Sequence, residues 1–434
     1  MPDALAKGFR ASNALMFLVV GQARLYGRGE AEAERSPCPV CLGDYKLCRL
    51  DTCPYLRHLR SLLGRVESSR VLFGSSPPSS LVGSWGYPRI YVGPLTPPLI
   101  EDTSLMERPE LWLDIPLEKI LSMRLSLVRG KIRADVREAR EPGRILQLVQ
   151  ELGMAYTPTD VELWFSKEPR IMPGFMVRSA PWGPSASIEK AVLASNPPVP
   201  RIVEKIVSDI DLKASRAVVE LYRSGVSLNQ IVRLLSLGLI GTKRWRRLVP
   251  TEWSITAVDD QIGKWLRRRV KENSWINSYH VYGHEAHHNK VSILMLPGPW
   301  MFEVIEIWHK GGVRIYRDHE LPGEPDRYPE EVGGAFHALR LPVLEHLYKI
   351  RRQASVIVVA EVREGWIPLG VWRFREICRR ALGKAETYDG LDEALNALDR
   401  HTWSPRILWE RNSVILRLMK SQVRLTRFVG LGKV

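Results

Sequence analysis

The chain of 434 residues carries 63 Lys+Arg against 48 Asp+Glu, a formal charge of +15. That balance favours a polyanionic partner, because each neutralised phosphate releases condensed counterions. Hydrophobic residues at 45% and charged residues at 26% exclude a largely disordered chain, and no run approaches the roughly 20 apolar residues that cross a bilayer. The length exceeds what one core usually holds, so two domains with appendages are expected.

The first apolar stretch, NALMFLVV from Asn13 to Val20, follows Lys7 and Arg10 in the manner of a signal peptide. No small-x-small cleavage site comes after it, and a buried first helix or strand is the expectation within a leader segment, 1–35. Four of the five cysteines then cluster in SPCPVCLGDYKLCRLDTCPY: Cys38, Cys41, Cys48 and Cys53. The first pair has knuckle spacing, which aims two thiolates at one ion, and four soft ligands suit tetrahedral zinc. A four-cysteine zinc-finger-like module over 36–60, with structural Zn2+, is therefore expected. Two disulfides or an iron–sulfur cluster are the alternatives. The remaining thiol, Cys378, reads as buried and inert.

A mixed domain is expected over 61–241 and a second over 242–405, followed by a basic C-terminal segment, 406–434, that ends in a flexible tail. The fold class is thus α+β. Residues 74–98 are dense in Gly, Pro and Ser, with one strand at Arg89 to Val92. They read as turns around short strands, or alternatively as a loop lining a phosphate or nucleobase site. Helices are expected at Pro116 to Val128 and Gly143 to Ala155, a strand at Val161 to Phe165, and a helix beginning near Ser187. A helix pair closes at Gly225, and SLNQIVRLLSLGLIG forms another helix.

Between Lys243 and Lys271 nine Lys or Arg face three acids, with Trp245, Trp253 and Trp265 interspersed. Lys243, Arg244, Arg246, Arg247, Arg267, Arg268 and Arg269 are the candidate nucleic-acid contacts, with tryptophans available for base stacking. A solvated basic face over a tryptophan core is the alternative. In HVYGHEAHHNK, His280, His284, His287 and His288 could share a helix face as a metal site, but Gly283 argues for a solvated loop.

Strands SILMLP, FEVIEIW and GVRIYRD read as a meander, followed by a helix near Gly334 to Arg352 and the fully apolar strand ASVIVVAEV. Helices near Arg375 to Leu382 and Gly390 to Arg400 complete the second domain. Asp259, Asp260, Glu303, Glu306 and Glu376 are candidate catalytic acids, which on converging would hold Mg2+ for phosphodiester chemistry. Strand alternation sets Glu303 and Glu306 on opposite faces, so those two alone form no dyad.

Together CPVC, SPPSSLVGSWGYPRIYVGP, LVPTEWSITAVDD, PLGVWRFRE and the terminal QVRLTRFV resemble the archaeal Nre family of DNA repair proteins. The resemblance implies a cytoplasmic, archaeal protein acting in DNA damage repair, with a zinc-finger-like module and a C-terminal motif that binds the sliding clamp PCNA. Gln422, Leu425 and Phe428 match the clamp-binding spacing, and Val429 stands where a second aromatic belongs. Glu252 replaces the arginine of the family's PTRWSIT. A stand-alone nucleotide- or RNA-modifying enzyme and a non-catalytic repair adaptor are the competing functions.

Overall fold

A computed structural model describes residues 69–170, 180–309, 312–324, 327–363 and 369–421. The cysteine module and the motif at Gln422 to Val429 lie outside the described residues. The architecture is α+β, built on two six-stranded mixed sheets.

The first sheet contains β1 (Val71–Ser76), β2 (Ser80–Val82), β3 (Arg89–Thr96), β4 (Val128–Asp135), β5 (Thr159–Phe165) and β6 (Ser185–Leu193), in the order β1-β5-β6-β4-β3-β2. Only β4 and β6 run parallel. The strand expected at Arg89 is present and longer than expected. The helix expected from Ser187 is instead β6, which lies between β5 and β4 and turns Ala186 and Ile188 to one face, into the core with Leu148 and Leu152. Serines that resemble helix caps signal nothing when the following apolar residues have period two.

Two helices lie within this first half, α1 (Leu117–Leu125) and α2 (Arg144–Met154). A run of three follows: α3 (Arg201–Ser208), α4 (Ala214–Arg223) and α5 (Leu228–Ser236). Gly225, at φ +80°, turns the chain between the last two, and Ser227 caps α5 by accepting from the backbone N–H of Gln230 at 3.3 Å. The long helix α6 (Thr251–Val270) buries Val258, Ile262 and Leu266, the stripe that the spacing predicts.

The second sheet contains β7 (Tyr279–Ala286), β8 (Asn289–Leu296), β9 (Met301–His309), β10 (Val313–Glu320), β11 (Ser355–Arg363) and β12 (Glu386–Tyr388). Its order is β10-β9-β11-β8-β7-β12, so β11 separates β8 from β9 and the expected meander is split. The crossover that inserts β11 parallel to β9 runs through α7 (Gly334–Ile350). The histidine segment is not a solvated loop but the β7–β8 hairpin. His287 and His288 form its tip at φ +49° and +60°, a left-handed pair more usual for Asn-Gly.

Helices α8 (Trp372–Ala381), α9 (Leu391–His401), α10 (Arg406–Asn412) and α11 (Val414–Ser421) complete the described chain. One continuous core joins the inner face of the first sheet, helices α2 to α8 and one face of the second sheet. The other face of the second sheet packs on α9, Trp409 and Ile415. Being covered on both sides, β11 is apolar along nearly its whole length. Cys378 is buried in this core, as expected, and burial pushes its thiol up. Among the described residues no helix is long and apolar enough to cross a membrane.

Strand alternation in β9 seats two carboxylates on opposite faces. Glu303 accepts from Ser413 Oγ (2.9 Å) and from the backbone N–H groups of Val414 (2.7 Å) and Ile415 (3.0 Å), so it caps α11. Glu306 points the other way, where it accepts from Trp308 Nε1 at 3.0 Å. Burial pushes the Glu306 carboxyl up to about 7, partly offset by the Arg373 charge.

Two outcomes follow for stability. A Cβ at Gly93 would stand 1.9 Å from the carbonyl oxygen of Gly130 on the neighbouring strand. Gly93→Ala should therefore cost at least about 3 kcal/mol in urea unfolding, since backbone cannot swing aside as a side chain does. Glu306 binds its proton more tightly folded than unfolded, so its contribution falls as pH rises from 4.5 through about 7. Glu306→Gln should accordingly gain about 3 kcal/mol over the parent at about pH 8 and lose that advantage near pH 4.5. Parallel pH dependences for the two proteins would contradict this.

Candidate functional site

The five candidate acids do not meet. Asp259 is buried on α6 and accepts from Arg375 Nη2 of α8 at 2.5 Å, while its Oδ1 has no hydrogen-bond partner. Burial pushes this carboxyl up against the pull of Arg375. Asp260, the next residue, faces Lys264 (2.7 Å) and Arg340 of α7 (2.8 Å). Burial opposes its ionisation, but the surrounding cations outweigh it and hold the carboxyl at about 2. Glu376 is ion-paired with Arg379 at 2.8 Å one turn along α8. With Glu303 and Glu306 on opposite faces of β9, each acid is committed to a separate cap, ion pair or hydrogen bond. Among the described residues no group of three or more His, Cys, Asp or Glu could hold a metal ion.

The basic segment divides as well. Arg246 is a staple: its guanidinium donates to the carbonyls of Gly241 (2.8 Å), Val207 (2.8 Å) and Asp209 (3.0 Å). Arg267 pairs with Glu320 at 2.7 Å, and Arg269 lies 4.0 Å over the Trp265 ring while donating to that residue's carbonyl. Arg247 is half-buried and engaged within the protein. Lys243, Arg244 and Arg268 remain exposed. Beside the first two, Trp245 is 54% exposed, with the Arg244 guanidinium 5.2 Å from its ring centre. Trp265 packs against the core edge between Tyr222 and Tyr348.

The chain also brings distant segments together around a cavity of about 90 Å³. Three of the segments that carry the family resemblance line it: Ser79, Ser80 and Leu81 from the first, Thr251 and Ile255 from the second, and Trp372 and Arg375 from the third. Local structure explains each placement. Ser80 opens the short strand β2, whose Val82 N–H donates to Thr251 Oγ1 at 3.0 Å and so ties the sheet edge to the start of α6. Thr251, Ile255 and Asp259 fall four residues apart on one stripe of α6, which carries the cavity wall on to the ion pair with Arg375. Gly370, at φ +95°, supplies the left-handed turn that launches α8, and Trp372 Nε1 donates back to Leu369 O at 2.6 Å.

Two further arginines close the cavity, both missed in the sequence. Arg124 on α1 donates to Pro181 O (3.0 Å) and Met106 O (2.8 Å) and is ion-paired with Glu107. Arg233 on α5 is buried and donates to Ala155 O at 3.0 Å; burial lowers its pKa to about 10, which leaves it charged at neutral pH. Glu107 also accepts from Ser79 Oγ at 2.5 Å, and Trp112 stands edge-on to Trp372 with 5.0 Å between centroids. Arg233 did leave a signal: it interrupts an otherwise apolar run, Ile231 to Leu235. A cation there needs a reason to be inside.

Comparison with known proteins agrees with the resemblance. The family models described as "Archaeal Nre, N-terminal" and "Archaeal Nre, C-terminal" match residues 47–314 and 322–428. The DNA repair protein NreB of Archaeoglobus fulgidus is 36% identical over 389 residues, covering 88% of this chain and 97% of the relative. NreA of the same organism is 34% identical over 91% of this chain and 98% of its own length. NreA of Haloferax volcanii is 34% identical over 77% and 85% respectively. No solved structure matches. With two family models in sequence order and relatives aligned over nearly their whole length, the chain belongs to the archaeal Nre family.

Proposed function

We propose that this protein is a DNA damage repair factor that docks on the sliding clamp PCNA through its C-terminal segment and contacts DNA through an exposed basic turn. The observation that carries the reading is the alignment over 88% and 91% of the chain with relatives named DNA repair proteins. The C-terminal family model runs to residue 428 and thus includes Gln422, Leu425 and Phe428. In a single 3₁₀ turn residues three apart eclipse, so Leu425 and Phe428 enter one apolar pocket while Gln422 hydrogen-bonds at its rim. Val429 buries less area there than an aromatic would, which weakens the grip.

The DNA contact centres on Lys243, Arg244 and Trp245, where two exposed cations precede an exposed ring suited to stacking on a base. Arg268 lies about 25 Å along α6 from the start of that helix and adds a separate phosphate contact. Four thiolates at Cys38, Cys41, Cys48 and Cys53 supply the donor set of a structural zinc that would hold the N-terminal module together. Metal-dependent phosphodiester cleavage finds no support in the five acids, which are spent elsewhere, so binding is the function favoured here.

Leu425→Ala together with Phe428→Ala should abolish clamp co-purification, and Val429→Phe should tighten clamp binding about tenfold or more. Retention of the clamp by the double variant would refute the docking reading. Lys243→Ala with Arg244→Ala should weaken DNA binding for all sequences alike and reduce the slope of log K against log salt by about 2. An unchanged slope would remove this turn from the interface.

A further inference from the structure

The cavity described above has a charge that the protein alone does not balance. Three guanidiniums, Arg124, Arg233 and Arg375, line it, against one lining carboxylate, Glu107. Counting Asp259 behind Arg375 brings the acids to two, which leaves one positive charge in a buried setting. Arg233 donates to Ala155 O at the C-terminal end of α2, but carbonyls carry no full counter-charge, so this surplus favours an anion.

Unused hydrogen-bond capacity lies in the same place. Ser80 is 7% exposed and lines the cavity, and its Oγ has no partner; Arg375 is 3% exposed, and its Nε has none. Both are donors, and a donor left unmade in the interior costs more than a made bond returns. Thr251 and Trp372, the first residues of α6 and α8, also line the cavity, so the positive ends of a 20-residue and a 10-residue helix add to the field. The space of about 90 Å³ admits a compact tetrahedral anion.

From these observations we infer that the cavity is a binding site for the phosphoryl group of a phosphomonoester, held by Ser80, Arg233 and Arg375. The ester's remaining substituent stays outside the cavity. Planar guanidiniums match phosphate oxygens in paired hydrogen bonds, and Ser80 Oγ donates to a third. The inference uses neither the C-terminal motif nor the exposed turn at Lys243, so clamp docking and DNA contact stand or fall separately.

The test is calorimetric titration of the full-length protein with inorganic phosphate, deoxyadenosine monophosphate, and one short oligonucleotide carrying either a 5′-phosphate or a 5′-hydroxyl. Saturable binding of phosphate or the monophosphate is expected, about tenfold weaker in Ser80→Ala and about a hundredfold weaker in Asp259→Asn/Arg375→Gln. The double variant removes both charges, so no lone carboxylate is stranded, and circular dichroism with thermal melting verifies its fold. Ser80→Ala removes only an oxygen and gives a second readout should the double variant fail to fold. Tighter binding of the 5′-phosphorylated than of the 5′-hydroxyl strand identifies the group as a strand end. Equal binding of the two strands, with the monophosphate saturable, identifies a free phosphate ester. Absence of saturable phosphate and monophosphate binding, or equal affinities in the parent and Ser80→Ala, overturns the inference.

Discussion

A guanidinium inside a protein must be answered, by a carboxylate, by carbonyls or by a ligand, and much of this molecule is arranged around that requirement. The pair Asp259–Arg375 is the pivotal case. It joins α6 to α8 at 2.5 Å with both side chains almost wholly inaccessible to water. Through it the long helix between the two sheets is locked to a helix that packs on the second. The cavity lies at the start of both helices, which this pair joins directly.

The same logic recurs along the inner helices. Asp260 reaches Arg340 of α7, which reaches Glu320 of β10, which in turn accepts from Arg267 and from Trp300 Nε1. Near the other end of α7, Glu345 binds Arg379 of α8 and the Tyr222 hydroxyl of α4. These chains of partners satisfy most donors and acceptors, which is what makes buried charge tolerable and orients the elements uniquely. The count of 63 Lys+Arg therefore overstates the cations available to a polyanion. Several arginines are interior fasteners rather than phosphate contacts.

This explains which parts could be read from the sequence. Elements with strong periodicity were legible: α2, α7 and β11 fall within a few residues of expectation, because the apolar stripe and its burial are local properties. The separation of Glu303 from Glu306 was legible too, since alternation is a backbone property. Sheet order was not, because the insertion of β11 between β8 and β9 depends on which edge the crossover helix leaves open. The His287–His288 turn escaped notice since histidine rarely adopts φ > 0 and only the paired flanks impose it. For the acids and arginines, residue type was visible but partner identity is tertiary. Arg246 and Arg244 stand two apart in one basic run, yet one staples three carbonyls and the other faces solvent.

The cavity illustrates why motif segments can carry a resemblance without disclosing a function. Ser80, Thr251 and Arg375 are separated by well over a hundred residues from one another, and each has an adequate local explanation: a strand start, a helix start, a helix interior. Only their convergence gives Ser80 Oγ and Arg375 Nε a shared problem, two buried donor atoms without a hydrogen-bond partner, while Arg375 Nη2 is spent on Asp259. A structural role alone would be served at Ser80 by alanine, and at Asp259 and Arg375 together by an apolar pair of similar volume, without a desolvation cost. Where a protein keeps the costly residues, and keeps them facing one space, the arrangement is better accounted for by what enters that space than by the fold that surrounds it.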